Sequence, residues 1–141
     1  MLQIRGHGAT DMAEFIRLYG IDHGSVSRFY ELPWSDVRLE RLEQLARDWQ
    51  ERLQAVDFDK LDQQGRIDWL LLRNKLTSES ARLDLERRRL AEMEELLPSR
   101  KIIQDLEQAR WRMEPVDAQK AAVLVSGIPD QIKKLRKRID K

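Results

Sequence analysis

Glu79 and Glu86 lie seven residues apart and so fall on one face of any helix that carries both. Facing carboxylates inside a helical bundle are the raw material of a di-metal centre, which also draws on histidines and on further carboxylates from other helices. The chain supplies no such pattern. Histidine occurs only at His7 and His23, in glycine-punctuated sequence, and neither is paired with a carboxylate at helical ligand spacing. The adjacent Asp22 and His23 could bind a metal or shuttle a proton, but two neighbouring polar residues in a loop are read as solvated. There is no His-Glu-x-x-His, no Glu-x-x-His, no Gly-rich phosphate loop and no Gly-x-Ser-x-Gly turn. With no cysteine, thiol nucleophiles, disulfides and cysteine metal sites are excluded. The sequence therefore names no catalytic, cofactor-binding or metal-binding residue. Glu79 and Glu86 are expected to meet Arg82 on their own helix, arginines of a neighbour, or water in an open groove.

The other candidates are surfaces. The run Lys133-Lys134-Leu135-Arg136-Lys137-Arg138 could contact phosphate or anionic lipid, because clustered cations release counterions on binding. It lacks the interleaved aromatics of a single-strand binder and covers one helical face, so it reads as solvated. Residues 128–141 carry a net +4 and the remainder −3. The total of +1, from 26 basic and 25 acidic side chains, leaves no overall field to attract nucleic acid or membrane, and neither is expected as a partner. Trp34, Trp49, Trp69 and Trp111 each stand at or beside an apolar stripe and read as core anchors.

The elements that must position these residues are all helical. Charged residues make up 36% of the chain, above the roughly 25% of an average globular domain, as long helices with wide solvated faces require. Gly6, Gly8, Gly20 and Gly24 punctuate the start and allow a short helix over 11–19 closed by Gly20, then a further turn over 25–31. Pro33 breaks the chain. Ser35 can cap a helix over 36–56 whose stripe is Leu42, Leu45, Ala46, Trp49, Leu53 and Val56, with Glu43–Arg47 and Asp48–Arg52 paired on its outer face. Asp57-Phe58-Asp59 makes a turn.

From Asp62, a plausible N-cap, a long helix over 62–97 runs until Pro98 forbids its continuation. At 1.5 Å per residue it would span about 54 Å. Trp69, Leu76, Leu83, Leu90 and Leu97 recur along it every seven residues, while the second line of a seam reads Leu72, Glu79, Glu86, Met93. A helix over 100–112 carries Ile102, Ile103, Leu106, Ala109 and Met113 on one face. Asp117 caps an alanine-rich helix reaching Val125, and Ile128, Ile132, Leu135 and Ile139 trace a last stripe that meets no capping signal before Lys141. No strand pattern or internal repeat appears. The expectation is an all-α multi-helix bundle with one long central helix, 62–97, forming an incomplete domain. Residues 1–24 make a poorly defined N-terminal segment and 25–141 the helical N-terminal part of a larger helical domain. No signal peptide or stretch of about twenty apolar residues is visible, so the default compartment is cytoplasmic.

Three segments resemble the N-terminal region of the bacterial family catalogued as domain of unknown function 885: Arg28-Phe29-Tyr30-Glu31-Leu32-Pro33, Asp57-Phe58-Asp59, and Gly65-Arg66-Ile67-Asp68-Trp69-Leu70-Leu71-Leu72-Arg73-Asn74. The likeness continues to the end of the chain and includes Met113-Glu114-Pro115-Val116-Asp117. Members of that family are several times longer, largely helical and similar to zinc metallopeptidases, with a His-Glu-x-x-His motif in the C-terminal half. In that motif two histidines hold the metal and the glutamate activates a zinc-bound water. This chain lacks the motif, so no catalytic or metal residue carries over. Zinc is expected only in a full-length family protein.

The resemblance implies a helical scaffold and cleft-wall fragment of a zincin-like hydrolase, inactive alone, with the remainder of a longer chain as its partner. It predicts apolar surface left uncovered on the long helix and on the terminal stripe. The alternative is a free-standing helical interaction protein that self-associates, or binds a partner helix, through exposed apolar faces.

Overall fold

Asp11 starts the first helix by accepting hydrogen bonds from the backbone N–H groups of Ala13 (3.0 Å) and Glu14 (3.3 Å). The computed structural model describes residues 11–140. Among them are six α-helices and one short 3-10 turn, with no strand: α1 (Met12–Phe29), α2 (Asp36–Gln54), α3 (Gln63–Glu94), α4 (Arg100–Trp111), α5 (Ala118–Ser126) and α6 (Ile128–Ile139). The chain is all-α, as its periodicity requires.

α1 corrects the expectation of a helix closed at Gly20, because it continues through Gly20 and Gly24 to Phe29. A helical glycine costs about 1 kcal/mol relative to alanine. Burial of Met12, Phe15 and Tyr19 on one face outweighs that cost. Residues 12–24 are accordingly helical, and the part of the N-terminal segment before Asp11, including His7, lies outside the described residues.

Ser35 caps α2 by accepting from Arg38 N–H at 3.4 Å, and Leu39, Leu42, Ala46, Trp49 and Leu53 form its buried stripe. The Arg38 guanidinium reaches back to the carbonyls of Ser27 (3.1 Å) and Tyr30, fastening the end of α1 to the start of α2. On the outer face Asp48 accepts from Gln44 instead of Arg52, and Arg52 turns to Asp22 at 3.8 Å and over the Trp49 ring.

Asp62 caps α3 through the Gly65 N–H at 2.7 Å. A Cβ on Gly65 would lie 3.0 Å from that carboxylate, which would have to give by a few tenths of an ångström. α3 has 32 residues and is about 48 Å long. Leu76 and Leu83 on its seven-residue line are fully buried and Leu90 nearly so, with Trp69 partly buried. Leu97 departs from the expectation. The helix ends at Glu94, the N–H groups of Leu96 and Leu97 fold back onto the Met93 carbonyl, and Leu97 is exposed.

The chain divides into two compact units, Met1–Glu86 and Arg87–Lys141. In the first, Trp49 is the centre of an aromatic and aliphatic core. Phe15 meets it edge-on at 5.1 Å and Tyr19 at 5.7 Å, while Leu53, Leu61, Leu72 and Leu76 complete the cluster. Trp69 packs on Phe58 and donates to the Leu53 carbonyl at 3.0 Å. In the second unit α4 meets α5 and α5 meets α6, and Asp117 caps α5 as its sequence indicates.

Two tryptophans correct the core-anchor reading. Trp34 follows Pro33 in the left-handed region (φ 60°) and is 47% exposed, and Trp111 at the end of α4 is 45% exposed. Met113, placed by periodicity on the face of the fourth helix, lies beyond it at φ 54° and is 93% exposed.

Candidate functional site

Glu79 occupies the position where the second line of the α3 seam would otherwise continue from Leu72. Its side chain is only 10% exposed, so the carboxylate must be satisfied by protein groups. It is. The Tyr19 hydroxyl donates to Oε2, and His23 Nε2 lies 2.7 Å from Oε1 and donates to it. Tyr19 and His23 are four residues apart on one face of α1, so a single carboxylate on α3 captures two side chains of the neighbouring helix.

Arg82 completes the cluster from α3 itself. One guanidinium nitrogen stands 3.8 Å from Glu79 Oε1, and the other donates to Glu86 Oε1 at 2.9 Å. Arg82 thus bridges the two carboxylates singled out by sequence, as the structural reading of Glu79 and Glu86 anticipated. The Lys75 ammonium lies 6.0 Å from the Tyr19 ring centre, one turn before Glu79. His23, Lys75, Ser78, Glu79 and Arg82 rim a shallow opening of about 300 Å³.

The electrostatics follow from this packing. Burial alone would raise the Glu79 pKa, but the Tyr19 hydrogen bond, His23 and Lys75 outweigh it and hold the carboxyl below its usual range. Tyr19 moves the opposite way. Burial, then the hydrogen bond to Glu79 and the carboxylate charge, push the phenol well above its usual value, so it keeps its proton and remains a donor. Both Glu79 oxygens are occupied by these partners. The cluster is suited to clamping α1 onto α3.

The pairing of His23 corrects the reading of Asp22 and His23 as solvated loop residues. Both are helical, His23 bonds Glu79, and Asp22 faces Arg52. The signal was present in the four-residue spacing of Tyr19 and His23, and the assumption that Gly20 stops the helix concealed it. Among the described residues no three His, Asp or Glu side chains converge as a metal-binding group. Three cations of the C-terminal run are engaged within their own unit, Lys133 with Asp130 (3.7 Å), Arg136 with Asp140 (3.7 Å) and Arg138 with the Glu95 carbonyl (2.9 Å). No helix among the described residues is long and apolar enough to cross a membrane. No protein-family model, curated protein or solved structure matches the chain.

Proposed function

We propose that this chain is a helical scaffold, serving as the N-terminal wall of a substrate cleft in a zincin-like hydrolase whose catalytic residues lie in further polypeptide. The observation that carries the proposal is the uncovered apolar surface of the second unit. Ile132 (53% exposed) and Ile139 (61%) stand open on the terminal stripe, and Val123 (67%) on α5 does the same. Helices this amphipathic are stabilised by a covering partner. The chain's own contribution is shape: a clamped three-helix first unit, and a second unit, α4–α6, whose apolar faces are open to completion.

Reading the gene beyond codon 141 tests the proposal. An in-frame coding region containing His-Glu-x-x-His supports it, and a stop codon with no such region downstream overturns it.

A second reading, a free-standing helical interaction protein, is favoured by one specific observation. Ile67, Leu70, Leu71 and Leu85 of α3 are all exposed although they belong to the first unit, whose core is otherwise closed. That stripe is a surface on which a partner helix could pack.

A further inference from the structure

α3 carries a buried apolar stripe and, opposite it, an exposed stripe with aliphatic ends and a polar centre. The first, Leu72, Leu76 and Leu83, is buried in the core of its unit. The second is Ile67, Leu71, Asn74, Ser78, Ala81 and Leu85, spaced four, three, four, three and four residues apart. That spacing keeps all six within one narrow strip on the side of the helix opposite Leu76. All six are exposed.

The second stripe is palindromic. Ile67 and Leu85 stand nine residues either side of position 76, Leu71 and Ala81 five, and Asn74 and Ser78 two. Laid against a second copy running in the opposite direction about a two-fold axis, aliphatic meets aliphatic at the ends. Leu71 meets the smaller Ala81, and the Asn74 amide meets the Ser78 hydroxyl at the centre. The flanking charges repeat the symmetry. Arg66 and Asp84 share one flank, nine residues either side of position 75, and Asp68 and Arg82 share the other, seven residues either side. A two-fold axis therefore sets Arg66, which also donates to the Asp59 carbonyl of its own copy, near Asp84 of the second copy, and Asp68 near its Arg82, which also bridges Glu79 and Glu86. Both are opposite-charge pairs, as flanking positions of paired helices require. Lys75, which falls close to the axis, is drawn instead towards the Tyr19 ring.

We infer that the Ile67–Leu85 face of α3 is a self-pairing surface, and that its occupant is the same face of a second copy of this chain, antiparallel about a two-fold axis. The inference deepens the interaction reading and rests on it. A two-fold contact uses the same patch on both subunits, so self-complementarity in shape and charge is what such a face must possess.

The test is light scattering and sedimentation of the full chain across a range of concentrations. A dimer is expected. Leu71→Glu, at a side chain 62% exposed in the isolated chain, should weaken it by about tenfold or more while helicity and melting are unchanged. Asp84→Arg should also weaken it by setting two arginines together, and adding Arg66→Asp should restore it. The chain has no cysteine of its own. A mixture of Asn74→Cys and Ser78→Cys variants should therefore cross-link mainly as the mixed pair. A monomer at every concentration overturns the inference and leaves only the partner-helix form of the interaction reading. A dimer untouched by Leu71→Glu overturns this face alone, and cross-linking of Asn74→Cys mainly with itself overturns the antiparallel arrangement.

Discussion

Leu76 and Ile132 sit on the apolar stripes of two amphipathic helices, yet Leu76 is completely buried and Ile132 is 53% exposed. The contrast extends to the units that contain them. Of the thirteen buried hydrophobic residues among those described, all but Leu90 belong to the first unit. The second unit also has three helices, and Asp117 caps α5 as Ser35 caps α2. What differs is closure. α1, α2 and α3 bring three apolar faces to one centre at Trp49, whereas α4, α5 and α6 keep much of their apolar surface outside. Amphipathic helices are thus necessary for a core and insufficient to close one.

The comparison is most severely tested by truncating one side chain in each unit. Leu76→Ala should destabilise the first unit by about 2–5 kcal/mol, through lost transfer energy and a residual cavity. Ile132→Ala should change stability by less than about 0.5 kcal/mol. Chemical denaturation of both variants measures the difference, and equal losses would break the distinction.

The polar clamp comes next. Glu79→Ala leaves the Tyr19 hydroxyl and His23 without their acceptor, at a cost of about 1–3 kcal/mol. Its pH dependence has a definite sign. Because the Glu79 pKa is depressed in the folded state, its contribution is present above the unfolded carboxyl value of about 4.3 and is lost as pH falls through the folded value. Tyr19 acts at the other end of the scale. Its raised pKa means that stability is retained below about pH 10 and declines as pH rises above it, where the unfolded phenol ionises and the folded one does not. Melting curves against pH should show both limbs in the native chain. The acid limb should flatten in Glu79→Gln and the alkaline limb in Tyr19→Phe.

Helix caps allow a subtler comparison. Ser35→Ala and Asp117→Ala each remove a side-chain acceptor from a helix start, a loss of about 1 kcal/mol. In the first unit the core holds α2 in place, so the loss should appear in global unfolding. In the second unit it should appear as faster amide hydrogen exchange confined to α5.

The smallest effect is a gain. A Cβ at Gly20 would meet nothing within 4 Å, and the residue is helical, so Gly20→Ala should raise the stability of the first unit by about 0.4–1 kcal/mol. Thermal melting checks it, and a loss would show that the space beside Gly20 is not open.

Much of the fold was legible because helical periodicity is a local property. The seven-residue line through Leu76, Leu83 and Leu90, the caps at Ser35, Asp62 and Asp117, and the break before Pro98 all follow from residues within a few positions of one another. Gly20 misled because its local cost is overruled by packing of Met12, Phe15 and Tyr19 of the same helix against Trp49, Leu53, Leu72 and Leu76 of other helices. The Glu79 clamp was half visible. Its link to Arg82 is one turn along the same helix, while its links to Tyr19 and His23 cross 60 and 56 residues of sequence.

The sequence by itself determined that the chain is helical and where most helices begin, since caps and apolar spacing act within a turn or two. Tertiary structure alone decided which stripes are covered. Trp49 and Trp111 look alike as tryptophans on helices, but one lies at the meeting point of three helices and the other is 45% exposed at the end of α4. Burial is a property of the company a helix keeps, and a periodic pattern states only that company is required.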